Sequence, residues 1–198
     1  MPTRRSFVTG AAAAALAANG PRRAFAQVDR RMIVDAQVHL WKAETPDWKW
    51  VPAGLLVMCF APGNTALLGP IAEQHPQLTL ILDHMGVTAS MLKDNKVEEA
   101  IGQTVALARY PNVSAKVSAS PSISREPYPF RDVAVHIKRV FDAYGPQRSY
   151  WGTDMTNSYA KASYRQRISH FTEELSFLSE SDKDWVMGRA IVARLNWT

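Results

Sequence analysis

The chain has 198 residues, 46% of them hydrophobic, with a formal charge of +5 and one cysteine. This length and apolar content predict one domain with a single packed core, and one cysteine excludes an intrachain disulfide framework. The charge excess is local: residues 1–26 carry Arg4, Arg5, Arg22 and Arg23 and no acid, which leaves residues 27–198 at +1, without the basic stripe that nucleic-acid binding requires.

Residues 1–26 run from the Arg4-Arg5 pair, followed by Ser6 and Phe7, through an alanine-rich stretch at Ala11–Ala18 to a small-x-small site at Ala24–Ala26. Arginines, an apolar segment and a small-residue site in that order predict a cleaved export signal, and the paired arginines specify the twin-arginine machinery as its partner. The apolar stretch is far shorter than the roughly 20 residues that cross a bilayer. The expected product is therefore a folded protein without a stable membrane span, starting near Gln27, released to the periplasm or beyond.

The mature region, 27–198, alternates strand and helix patterns. Apolar runs at 32–38 (MIVDAQV), 54–61 (GLLVMCFA), 78–84 (LTLILDH) and 112–119 (NVSAKVSA), with a shorter one at 149–154 (SYWGTD), predict strands, and their continuity predicts cover on both faces, as in a parallel sheet. A 3.6-residue period places Val97, Ile101, Val105 and Ala108 on one helical stripe, and Val133, Ile137, Val140, Phe141 and Tyr144 on another. Pro111 and Gly145-Pro146 stop these helices. A last helix is expected from Ser181, with Asp184 three residues on as a weaker form of the capping box, to about Leu195. The fold class is thus α/β with mainly parallel strands. Between His39 and the second strand, a segment with Trp41, Trp48 and Trp50 shows no helical period and reads as an aromatic loop that lines a pocket or covers a sheet end.

Polar residues able to bind metal or move protons stand where predicted strands end: His39, the pair Asp83 and His84, and Asp154. Strand ends of a parallel sheet meet on one face, the usual ligand side. Alternation would send Asp83 and His84 to opposite sides, so only one of them would face a site.

In order along the chain, IVDAQVHLW, LLGPIAEQHPQLTLILDHMG, YPNVSAKVSA and YWGTDMT resemble the amidohydrolase-related family, which includes pyrone-dicarboxylate and sugar lactonases. The resemblance extends from about Met32 to Trp197. It implies a (β/α) TIM-barrel-like fold with a His-x-His on the first strand, one histidine each on strands five and six, and on strand eight an aspartate that binds metal or acts as general base. His39 matches the second histidine of the first motif, His84 the strand-six histidine and Asp154 the aspartate. Gln37 replaces the first histidine, and Met58 and Cys59 stand where the strand-five histidine belongs.

Only strands one, five, six, seven and eight of the family pattern are recognisable, and the mature region is shorter than the roughly 250 residues of a closed barrel. The resemblance therefore implies an incomplete barrel with open edges, which a second copy would pair by self-association. With two family ligands replaced, the expected cofactor is none, or a weakly held divalent metal such as zinc. The expected activity is hydrolysis of a lactone or related small carboxylate by activated water, with Asp154 taking the proton and His84 or His39 facing the carbonyl oxygen; the alternative is an inactive relic or binding protein. Lys116 either binds a carboxylate inside the barrel or snorkels to solvent. Arg125 either reaches over the site or is a solvated loop residue. For His75 the expectation is solvent exposure, and for His136 and His170 surface or packing roles. Replacing Arg4 and Arg5 by lysine is expected to retain the precursor in the cytoplasm, which fractionation checks; an unchanged periplasmic product would refute the twin-arginine route.

Overall fold

Four apolar runs pair side by side in the computed structural model, which describes residues 31–36 and 56–197. The chain divides between Arg31 and Met32 into two units, and the second carries all the elements below. The expected signal, Gln37, His39 and the Trp41–Trp50 loop lie outside the described residues. Among the described residues, no helix is long and apolar enough to cross a membrane.

The strands are β1 (Leu56–Cys59), β2 (Thr79–Leu82), β3 (Val113–Lys116) and β4 (Ser149–Tyr150), in spatial order β1-β2-β3-β4 and all parallel. Each parallel step requires a crossover. The described ones are α1 (Leu68–Gln74) between β1 and β2, α2 (Ala89–Lys93) and α3 (Val97–Ala106) before β3, and α4 (Ser120–Ile123) and α5 (Arg131–Tyr144) before β4. After β4 come α6 (Met155–Ser158), α7 (Tyr164–Ser169), α8 (Glu180–Asp184) and α9 (Ala190–Arg194), with wider π turns continuing α7 and joining α8 to α9.

Alternation along the strands sorts the core into two layers. Leu80, Leu82, Val113 and Ala115 join Val133, Ile137 and Val140 of α5 in the larger cluster on the helix side. Ile81 and Tyr150 join Ala190, Ile191, Val34 and Ala36 on the other side. The expected stripe of α5 is buried apart from the half-buried Phe141, and the helix ends where Gly145 takes a left-handed φ of 71°. In α3 the buried residues are Val97, Ala100, Ile101 and Thr104, with Val105 only partly covered.

Three expectations are corrected. The first predicted strand joins no ladder in its described part; Met32–Ala36 is held at alternate residues, Val34 N–H to the Met187 carbonyl (2.7 Å) and Ala36 N–H to that of Trp151 (3.2 Å). Its close approach requires Gly188, where a Cβ would meet the Met32 oxygen at 2.8 Å. The second strand is not covered on both faces, since it lies at the end of the strand order with Val57 and Met58 each 44% exposed. The last helix starts two residues early: Ser179 and Asp182 form the capping box, Ser179 Oγ accepting from Asp182 N–H at 3.2 Å. The serine-x-x-aspartate spacing occurs twice, so sequence alone does not choose between the two starts.

His75 is exposed, and His136 is half-buried beside Glu98, 3.4 Å away. His170 is a core residue, 1% exposed, with its ring edge-on to Phe130 and Phe171. Burial pushes its pKa down from 6.5 to about 4, against a smaller upward pull from the Pro129 backbone. The folded state thus holds this imidazole neutral while the unfolded chain protonates it. Its contribution to stability is complete above about pH 6.5 and is lost as pH falls towards 4. Urea unfolding between those pH values is expected to show a steeper loss in the parent protein than in His170→Leu; equal slopes would contradict this.

Candidate functional site

The carboxyl ends of β2, β3 and β4 all turn through left-handed backbone. His84 (φ 51°) and Met85 (φ 55°) follow β2, Ala119 (φ 66°) follows β3, and Asp154 (φ 45°) follows β4. A non-glycine residue in this region costs on the order of 1–3 kcal/mol and persists only where its surroundings enforce it. After β2 the enforcement is visible: Thr104 Oγ1 donates to the Met85 carbonyl at 2.8 Å. Gly86, at φ 71°, approaches so closely that a Cβ would sit 2.7 Å from Thr65 Oγ1.

These turns bring Asp83, His84, Ala119 and Asp154 to one cleft of about 520 Å³, with Phe60 and Asn157 also on its wall. His84 Nε2 lies 3.7 Å from Asp154 Oδ1. The other ring nitrogen, Nδ1, is hydrogen-bonded to Ser118 Oγ at 2.9 Å, and Phe60 stands edge-on to the ring at 5.5 Å. Asn157 Nδ2 donates to Asp154 Oδ1 at 2.7 Å. Both members of the pair are buried, His84 8% and Asp154 4% exposed. Two of the three expected site residues are therefore neighbours, and the third, His39, lies outside the described residues.

Asp83 faces the cleft as well, against the expectation from strand alternation. The left-handed turn begins at His84, so strand geometry no longer separates the two side chains. Asp83 has a partner of its own: Lys116 Nζ forms an ion pair with Asp83 Oδ1. The same ammonium donates to the Ala36 carbonyl at 3.2 Å and touches Met58 Sδ at 3.6 Å. Lys116 is wholly buried, so it does not snorkel to solvent; it faces inward, and the carboxylate it meets is that of Asp83. Arg125 does not reach over the cleft either; its guanidinium donates to the Leu92 carbonyl and to Asn95 Oδ1 (2.9 Å).

The sequence reading missed Ser118, Asn157 and Phe60. Ser118 was the most legible, two residues beyond Lys116 on the same face of an extended strand. Asn157 lies three residues after Asp154, a spacing that becomes a contact only once the short helix α6 forms.

The Amidohydrolase family model matches residues 36–191. The chain belongs to the amidohydrolase family. Among solved structures, this amidohydrolase is similar to an amidohydrolase from Burkholderia multivorans solved with bound zinc, at 21% identity and TM-score 0.62 over 71% of this chain and 52% of that one. A Pseudomonas putida protein provisionally assigned as a 2-pyrone-4,6-dicarboxylic acid hydrolase gives 17% identity and TM-score 0.52, covering 73% and 63%. An Acinetobacter baumannii protein with the same provisional assignment, solved with citric acid bound, gives 15% and 0.53, covering 72% and 52%. No curated protein matches the chain. At these identities the likeness shows the fold, a (β/α) barrel, of which this chain forms part; it spans about half the length of the Burkholderia and Acinetobacter chains and less than two thirds of the Pseudomonas one.

A catalytic zinc takes three protein ligands in most enzymes. Among the described residues, no group of three or more histidine, cysteine, aspartate or glutamate side chains is placed to hold a metal. His84 Nε2 and Asp154 Oδ1 converge as two donors, Asp83 is paired with an ammonium, and burial pushes the Cys59 thiol pKa up, with the charge of Asp83 adding to it. The described donor set does not fit zinc by itself.

The Lys116–Asp83 pair generates a stability prediction. Removing one partner of a buried pair strands the other charge. Lys116→Met is expected to cost roughly 3–5 kcal/mol in urea unfolding near neutral pH, with part of the loss recovered in Lys116→Met/Asp83→Leu. A single variant as stable as the parent would show that solvent already screens the pair.

Proposed function

We propose that this amidohydrolase hydrolyses a small cyclic ester, a lactone, by attack of an activated water. The observation that carries the reading is the His84–Asp154 pair, with 3.7 Å between Nε2 and Oδ1 at the cleft wall. At that separation a water molecule bridges the two groups better than a direct hydrogen bond does. Asp154 then takes the proton of the attacking water, and His84, its far nitrogen engaged by Ser118 Oγ, turns Nε2 towards the carbonyl oxygen where negative charge develops. As that charge collapses the ring C–O bond breaks, and Asp154 returns the proton to the departing alkoxide oxygen. Asn157 occupies one lone pair of Asp154 Oδ1, which leaves the second lone pair of that oxygen to accept from the water. Phe60 supplies an apolar wall beside the histidine for the ring of the substrate. In this reading the substrate is met in the periplasm, after twin-arginine export.

A second reading, a non-catalytic binding protein or relic of a barrel enzyme, is favoured by one observation: the chain spans only about half of two of the enzyme-family structures it resembles. The two readings separate in one experiment. The parent protein is expected to hydrolyse at least one member of a panel of five- and six-membered lactones, with and without chelator, and Asp154→Asn to lower that rate by about 100-fold or more, since an amide cannot accept the proton. Undiminished turnover in Asp154→Asn would sink the water-activation role. No turnover by a folded parent protein would favour the binding reading.

A further inference from the structure

Asp154 lies in the left-handed region, with φ 45° and ψ 46°, a conformation that aspartate tolerates better than most non-glycine residues but that still carries a cost. The residue before it is gripped from two sides. On one side stands Asp35, whose carboxylate accepts from Thr153 N–H at 3.0 Å and from Thr153 Oγ1 at 2.6 Å. On the other stands Arg167 of α7, 3% exposed. Its Nη1 donates to the Thr153 carbonyl (2.8 Å) and to Ser158 Oγ (2.9 Å). Its Nη2 donates to the carbonyls of Ser158 (2.6 Å) and Ala162 (3.3 Å). Ser158 Oγ passes the connection on, donating to the Asp154 carbonyl at 3.3 Å.

A single guanidinium thus joins the residue before Asp154 to the end of α6, the helix that also carries Asn157. The planar fork of arginine suits several fixed acceptors at once, whereas a lysine ammonium offers one compact charge. The main chain of Arg167 is anchored in turn, because Trp151 Nε1 donates to its carbonyl at 3.3 Å. Burial pulls the guanidinium pKa down, and the negative charges of Asp154 and then Asp35 push it back up. The cation is therefore within electrostatic reach of the carboxylate whose turn it holds.

We propose that Arg167 is the positioning residue for Asp154, holding the 153–158 turn so that the Asp154 carboxylate meets His84 and Asn157. The inference rests on the reading of Asp154 as the general base, but its structural half stands without it. A displacement of about 1 Å in a catalytic group costs on the order of 100-fold in rate. Arg148 provides a control of the same kind, because its Nη1 donates to the carbonyls of Ala108, Tyr110 and Val113 at 2.9–3.1 Å and touches no part of the cleft.

The test uses the full chain with Arg167→Met, Arg167→Lys, Ser158→Ala and Arg148→Met, together with Asp154→Asn alone and combined with Arg167→Met. Arg167→Met is expected to lower kcat on the best lactone by about 10–100-fold with little change in KM. Arg167→Lys and Ser158→Ala should fall between it and the parent, and Arg148→Met should lower stability while leaving kcat unchanged. In the Asp154→Asn background, Arg167→Met should add nothing further, because the group it positions is already disabled. Amide hydrogen exchange at 154–158 should quicken in Arg167→Met while that of α5 does not; this reading needs no substrate, and Ser158→Ala replaces Arg167→Met in it if the latter does not fold. Unchanged exchange at 154–158 overturns the proposal, as does parental kcat in a folded Arg167→Met or an equal further loss in the double variant. Full activity of Asp154→Asn instead overturns the general-base reading and leaves the exchange measurement to decide the role of Arg167.

Discussion

The buried ammonium of Lys116 is the constraint around which this half-barrel is arranged. A charge with no solvent contact needs a counter-charge and acceptors for its remaining protons. Those partners come from three places: Asp83 at the end of β2, the Ala36 carbonyl of the Met32–Ala36 segment, and Met58 of β1. One side chain on β3 therefore ties together the strand before it in the sheet, the edge strand beyond that, and a segment lying past β4. In a closed barrel the interior is filled by side chains from every strand; here a charged strut does part of that work. Asp83 also delivers His84, because the chain turns left-handed immediately after the paired carboxylate.

The cleft combines strain with restraint. The ends of β2, β3 and β4 each contain a left-handed residue, and for two of them the groups that hold the backbone are identifiable. Thr104 and the close packing of Gly86 fix the turn after β2. Asp35 and Arg167 grip Thr153 from opposite sides ahead of Asp154. The His84–Asp154 separation is thus set by hydrogen bonds well outside the pair, which is how a precise site is built on loops. The groups that hold these turns all lie among the described residues of a chain about half the length of some of its structural relatives.

The open side of the sheet has a different character. β1 has a strand neighbour on one edge only among the described residues, and it exposes Val57 and Met58, followed by Phe60. Phe60 nonetheless has a place at the cleft beside His84. Apolar exposure at this strand runs from Val57 and Met58 to Phe60, whose ring makes a wall suited to an apolar group. The His84–Asp154 pair and the apolar ring of Phe60 thus share one cleft.

Periodicity in the sequence determined the α/β class, the positions of β1 to β4 and the helices α3 and α5, because burying one stripe of a helix or an apolar run of a strand is decided within a few residues. The strand-end rule likewise singled out His84 and Asp154, since parallel topology alone brings such ends to one face. It failed where the outcome depended on chain reversal or on partners far away in sequence. Asp83 joined His84 on one side because the backbone became left-handed, which no side-chain pattern announces. Lys116 was buried because Asp83, 33 positions earlier, waited for it, and the choice between Ser179 and Ser181 as helix cap lay between two equivalent local signals. Arg167 and Asp35 looked like ordinary charges in the sequence. Only the tertiary structure made them the two hands on Thr153, because a hydrogen bond spanning 118 residues is a property of the packed fold and of nothing shorter.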